Sequence, residues 1–163
     1  MNINNIDALI FDFDGVLTNN KVYVCEDGLE TVECSRADSL AFEVLKKLKK
    51  PVIILSTEKN LVVKVRAKKL KTPSIHGVDD KVKALKKLIT KHKYNLDKIL
   101  YVGNDLNDYL AMKLCGYTAC PADSHPYIKK ISDVCLSKNG GNGVVRELVE
   151  EILKINFVKV LYS

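Results

Sequence analysis

Short unbroken apolar runs alternate along this chain with longer segments in which apolar residues recur every three or four positions. Ala8-Leu9-Ile10-Phe11, Val52-Ile53-Ile54-Leu55 and Ile99-Leu100-Tyr101-Val102 have the pattern of strands buried on both faces of a parallel sheet. Ser74-Ile75-His76, Tyr117-Thr118-Ala119-Cys120 and Val134-Cys135-Leu136 predict shorter strands. Between them, residues 39–50 place Leu40, Ala41, Val44, Leu45 and Leu48 on one helical face, with Asp38 as cap and Pro51 as stop. Further helices are predicted over 61–70, behind Lys81 (Val82, Leu85, Leu88, Ile89), over 126–131, and after the glycines near 140. Runs of β-formers on either side of Asp27-Gly28 predict a hairpin over about 21–34, either a surface flap or an edge that pairs with another subunit. The regular alternation of strand and helix predicts an α/β fold, a doubly wound parallel sheet with helices on both faces.

At 163 residues and 47% hydrophobic, the chain is long enough for one domain, expected to span 1–163. The net charge of +6 comes from lysine pairs such as Lys46-Lys47, Lys68-Lys69 and Lys86-Lys87 in helical segments. With no aromatic-interleaved basic stripe, they read as solvated helix faces, so no nucleic-acid partner is expected, and the charge suits a small anionic substrate. Five cysteines without a Cys-x-x-Cys pair indicate neither a zinc site nor a disulfide framework. Reduced thiols, an amino terminus without a leader pattern and no bilayer-length apolar stretch predict a cytoplasmic protein with no membrane partner.

The chemistry concentrates where apolar runs end. Asp12 and Asp14 follow the first run, point the same way by strand alternation, and sit where open α/β sheets place their ligands. Two carboxylates that close call for a cation or a shared proton, and one of them can act as nucleophile or acid. Ser56 ends the second run as a phosphate-binding hydroxyl or a helix cap. Lys81 opens a helix, the end that cations avoid. Gly103-Asn104-Asp105-Leu106-Asn107-Asp108 again delivers acids to a strand's carboxyl end, as ligands or as a turn with a cap at Asp105. The glycine-rich stretch at about 138–146 is either a flexible loop or a place where backbone amides and Arg146 meet an anion. His76, His92 and His125 lie too far apart in sequence to suggest a metal site.

Asp12-Phe13-Asp14-Gly15-Val16-Leu17-Thr18, Ser56, Lys81 and Gly103-Asn104-Asp105-Leu106-Asn107-Asp108 resemble, in order, the four motifs of the haloacid dehalogenase superfamily. The resemblance covers nearly the whole chain and implies its Rossmann-like fold. It implies Asp12 as nucleophile and Asp14 as acid and base. Ser56 and Lys81 would hold the phosphoryl group, Mg2+ would sit on Asp12, the Asp14 carbonyl and Asp105, and Asp108 would orient Lys81 or a metal-bound water. No large insertion follows the first motif or Lys81, so no cap domain is expected. Hairpin, capless core and Gly140-Gly141-Asn142-Gly143-Val144-Val145-Arg146 are similar to the 3-deoxy-D-manno-octulosonate 8-phosphate phosphatase group. Its relatives act on 9-phosphorylated nonulosonic acids or form the carboxyl-terminal domain of CMP-sialic acid synthetases. The group implies a homotetramer in which a neighbour supplies the cap. The sequence Ser56-Thr57-Glu58-Lys59-Asn60, followed by Arg66 and Lys69, is similar to the nonulosonate 9-phosphate branch. It implies Glu58 as an acceptor for sugar hydroxyls and Arg66 or Lys69 as the holder of the sugar carboxylate, within one chain or across a subunit boundary, although Arg66 and Lys69 also fit a solvent-facing helix side; Thr57 and Arg146 complete the expected substrate contacts. Alternatives are the eight-carbon octulosonate 8-phosphate as substrate and, in another class, a non-catalytic tetramerisation module.

Overall fold

The computed structural model describes residues 1–162. Six parallel strands form the sheet in the order β5 (Ser74–Ile75), β4 (Val52–Leu55), β1 (Ala8–Phe11), β6 (Ile99–Val102), β7 (Tyr117–Cys120) and β8 (Val134–Cys135). The order reverses at β1, between β4 and β6, so the carboxyl ends of those three strands open onto one crevice.

Strand alternation divides the core. Leu9, Phe11, Ile54, Leu100 and Val102 face one side, against α1 (Arg36–Lys47), α2 (Val62–Leu70), α6 (Val144–Glu147) and α7 (Phe157–Tyr162). Ala8, Ile10, Ile53, Leu55, Ile99 and Tyr101 face the other, against α3 (Lys81–His92), α4 (Tyr109–Met112) and α5 (Pro126–Ile131). The doubly wound sheet expected from the sequence is therefore present. An antiparallel hairpin, β2 (Thr18–Val24) and β3 (Glu30–Cys34), rises between β1 and α1, with its register shifted between Thr18 and Val22. No cap layer lies over the carboxyl edge among the described residues, and none of their helices is long and apolar enough to cross a membrane.

The start of α1 corrects one sequence expectation. Ser35, not Asp38, caps the helix, accepting a hydrogen bond from the Ala37 amide at 3.1 Å. Asp38 lies inside the first turn, 1% exposed, and accepts a hydrogen bond from the Arg146 amide at 2.9 Å, so it caps α6 across the molecule. Its Oδ2 has no partner among the described residues. Burial pushes its carboxyl up to about 6, against the pull of the α6 amides. Because the folded-state value lies above the unfolded one, the ionised form costs stability above pH 6, and the cost fades as pH falls toward 4. Asp38→Asn keeps an acceptor for the Arg146 amide and removes the charge. It should stabilise the protein by about 2 kcal/mol at pH 8, a gap that closes near pH 4 in urea titrations.

The last helix is also not continuous. After α6 the chain widens into a π-helical turn at Leu148–Ile152, then reverses through Lys154 in the left-handed region before α7.

Candidate active site

Backbone hydrogen bonds fix the residues just past the strand ends. The Asp12 amide donates to the Val102 carbonyl (2.9 Å), the Ser56 amide to Ile75 (2.9 Å) and the Gly103 amide to Ala119 (3.3 Å). Gly15 turns the chain after β1 at φ 76°; a side chain there would collide with the Asn104 amide, its Cβ falling 1.9 Å from Nδ2.

These anchors bring together Asp12, Lys81 and Asp108. The Lys81 ammonium donates to Asp12 Oδ1 at 2.7 Å and to Asp108 Oδ1 at 2.6 Å, with all three side chains buried. The odd cation at the first position of α3 is thus explained by two carboxylates, while Asp80 caps the helix through the Lys83 amide at 3.0 Å. Asp108 also accepts from Tyr101 Oη at 2.8 Å and, through Oδ2, from the Asn104 amide at 3.1 Å. Burial works against the Lys81 charge, but Asp12 and Asp108 outweigh it and hold the ammonium protonated above its usual range. Burial, together with the charge of Asp108, drives Asp12 well above the ordinary carboxylate range despite Lys81. Two carboxylates on one ammonium leave a surplus negative charge.

Asp14 stands beside this trio, half-buried, with the Thr18 hydroxyl 3.5 Å from its Oδ1. Burial, and then the charge of Glu58, raises its pKa, the direction a proton donor requires. A cavity of about 70 Å3 is lined by Asp12, Asp14, Asn20, Thr57, Asn104, Asp105 and Asn107. An outer cavity of about 300 Å3 continues from Asp14 under the hairpin, lined also by Glu30, Glu58 and Asn60. A larger cavity of about 610 Å3 lies elsewhere, at the amino edge of β4, and contains none of the predicted site residues.

Asp12, Asp14 and Asp105 all line the inner cavity, yet no three His, Cys, Asp or Glu side chains among the described residues are grouped closely enough to hold a metal ion by themselves. The donors are instead a carboxylate each from Asp12 and Asp105 and the Asn104 amide oxygen, which is buried without a hydrogen-bond partner among the described residues. Hard oxygen donors, a surplus negative charge and an orphaned carbonyl oxygen fit a divalent cation such as Mg2+.

Of the remaining sequence-predicted residues, Ser56 is buried and its Oγ accepts from the Glu58 amide at 3.0 Å, with no acceptor for its own proton among the described residues. Ser56 is not a helix cap, because α2 starts at Val62. Thr57 lines the inner cavity, where its Oγ1 accepts from Asn107 at 3.4 Å, and Glu58 lines the outer one. The structure does not bring Arg66, Lys69 or Arg146 to either cavity. Arg66 ties α2 to α1 through the Ser35 carbonyl (2.8 Å) and the Ser39 hydroxyl (3.1 Å). Lys69 faces Glu43, Lys46 and Lys47 in a groove between α1 and α2. Arg146 pairs with Glu150 and stacks its guanidinium 4.3 Å from the Phe157 ring centre. The glycines before it approach backbone instead of presenting amides to an anion: the Gly141 amide donates to Val16, and a Cβ on Gly140 would fall 2.2 Å from the Gly15 carbonyl oxygen. Sequence reasoning missed Tyr101 and Asn104. A phenol in an otherwise aliphatic buried strand was the available signal for the first, since a buried hydroxyl needs a partner.

A family model described as haloacid dehalogenase-like hydrolase matches residues 46–148, which carry Ser56, Lys81, Asp105 and Asp108. The chain belongs to the haloacid dehalogenase-like hydrolases. Within this family it is similar to a Streptomyces avermitilis protein described as a HAD family hydrolase, with TM-score 0.90 and 37% identity over 92% of this chain and 86% of that one. It is similar also to the 3-deoxy-D-manno-octulosonate 8-phosphate phosphatase of Moraxella catarrhalis, solved with magnesium, phosphate and KDO. There the TM-score is 0.88 and the identity 32%, over 93% and 88% of the two chains. The zebrafish (Danio rerio) N-acylneuraminate cytidylyltransferase A is 29% identical over 91% of this chain, which spans about a third of that protein (35%).

Proposed function

We propose that this haloacid dehalogenase-like hydrolase is a divalent-metal-dependent phosphatase that cleaves the phosphomonoester of a 2-keto-3-deoxy sugar acid. The observation that carries the reading is the buried Asp12–Lys81–Asp108 trio, whose Asp12 lines a small oxygen-lined cavity together with Asp14. Asp12 attacks phosphorus in line, forming an aspartyl-phosphate as the bond to the leaving alcohol breaks. Asp14 gives its proton to the leaving oxygen, then takes one from the water that attacks phosphorus and releases Asp12. The Lys81 ammonium and the Ser56 hydroxyl donate to the phosphoryl oxygens, and Asp108 with Tyr101 holds Lys81 in place. Mg2+, held by Asp12, Asp105 and an amide or backbone oxygen, would add charge neutralisation at the phosphoryl group.

The Moraxella likeness supports the eight-carbon octulosonate 8-phosphate as substrate. Two observations support a nonulosonate 9-phosphate as a second reading: the likeness to the cytidylyltransferase, and Glu58 in the outer cavity, where a carboxylate accepts from sugar hydroxyls. The hairpin leaves Val22, Tyr23, Val24 and Leu29 exposed, which supports packing against another copy in a homotetramer.

Phosphate release from both acid phosphates, with Mg2+ and after chelation, is the test. Turnover on at least one, lost on chelation and restored by Mg2+, is expected. The better substrate decides between eight and nine carbons. No turnover on either would favour a non-catalytic module.

A further inference from the structure

The cavity of about 610 Å3 at the amino edge of β4 lies at the opposite end of the sheet from Asp12 and its partners. Where parallel strands alternate with helices, the helix carboxyl ends come to that edge, and α1, α2 and α3 all finish around this cavity. The apolar part of its lining comes from Phe42, Val52, Ile53, Leu70, Ile75 and Leu88. His92 and Tyr94 line it as well, as a stacked pair with ring centres 5.4 Å apart and planes 13° from parallel.

Five lysines, Lys46, Lys49, Lys50, Lys71 and Lys91, line the same cavity, and no carboxylate does. Lysines near a helix carboxyl end ordinarily answer the helix dipole. Three such ends present roughly one and a half negative charges between them, so five ammoniums exceed what the helices need. The Lys50 ammonium donates to the Ile6 carbonyl at 3.0 Å, whereas Lys46, Lys49, Lys71 and Lys91 form no ion pair with a described residue. Lys49 and Lys71 also sit in the left-handed region, at φ 56° and 55°, where glycine is the low-cost residue after a helix. At both positions a charged side chain is kept despite the backbone strain. The adjoining groove between α1 and α2 shares Lys46 and Lys71 and adds Lys47 and Lys69 against one acid, Glu43, so the positive field continues beyond the cavity.

We propose that this cavity is a second binding site, for a small polyanion with a flat aromatic body, the chemistry of a nucleoside di- or triphosphate. The base stacks on the His92–Tyr94 pair beside the apolar lining, and the phosphates take the ammoniums of Lys46, Lys49, Lys71 and Lys91. A volume of about 610 Å3 lies within the range of small-molecule sites. Because the site is remote from Asp12, the inference concerns binding alone and does not depend on the phosphatase reading.

Calorimetric titration of the full chain with ATP in EDTA, which withholds divalent metal from the active site, is the test. Saturable binding at one site is expected, with inorganic triphosphate weaker by about tenfold. Lys49→Gly combined with Lys91→Met removes two of the ammoniums, and glycine suits the left-handed backbone, so the contact is separated from the fold. Tm and phosphate release should then be unchanged while ATP binding weakens about tenfold or more. His92→Ala combined with Tyr94→Leu should weaken ATP about tenfold and leave the affinity for inorganic triphosphate as it was. No saturable binding of ATP by the unaltered protein, or equal affinities for ATP and inorganic triphosphate, would overturn the proposal. ATP binding that survives the lysine substitutions undiminished would overturn it too, since the nucleotide would then be held elsewhere.

Discussion

Asp12→Asn is expected to abolish phosphomonoester turnover, by about four orders of magnitude or more, because the variant has no carboxylate to form the phosphoenzyme. The fold should not suffer. The substitution replaces one of two carboxylates that share the Lys81 ammonium, and Lys81 keeps Asp108 at 2.6 Å. Burial already opposes ionisation of Asp12, so the change removes the surplus charge, and Tm should hold or rise. Phosphate release and thermal unfolding on the same preparation check both halves. A large drop in Tm with the loss of turnover would point to a structural role.

Lys81→Met should act in the opposite sense on stability. It leaves Asp12 and Asp108 buried face to face without their common partner, at a cost of about 3–5 kcal/mol in urea unfolding near pH 8. One of the carboxyls then takes up a proton more readily, so the deficit should shrink as pH falls toward 5, where protonation relieves the repulsion. Turnover should fall about a thousandfold, since a phosphoryl-facing donor is lost and with it the charge that favours the ionised form of Asp12 against burial. A variant as stable as the parent at pH 8 would contradict the burial and pairing described for this site.

Much of the fold was legible because its strands carry unbroken apolar runs. Val52–Leu55, Ile99–Val102 and Tyr117–Cys120 end where hydropathy ends, and in a doubly wound sheet the residues just past those ends converge. Convergence of Asp12, Lys81 and Asp108 was therefore implied by position and by family resemblance, although the sharing of one ammonium by two carboxylates was not. What was not legible depends on how helices dock. Whether Arg66 and Lys69 turn toward the crevice or toward α1 is set by the packing of α2, and the pairing of Arg146 with Glu150 and Phe157 by the path of the chain after the π-helical turn. Asp38 looked like a local cap, but its partner is a backbone amide 108 positions away. Asn20 gave no hydropathy signal, because a bulge and a left-handed residue within a polar stretch look like any turn.

The most direct test of the central claim is to stop the reaction of the Mg2+-loaded protein with its best sugar-acid phosphate by acid, within one turnover, and map the phosphorylated peptide by mass spectrometry. A phosphoryl group on the peptide bearing Asp12, absent from Asp12→Asn, is the expected result. Turnover with no phosphoryl group on that peptide, or with label on another residue, would contradict the assignment of Asp12 as nucleophile.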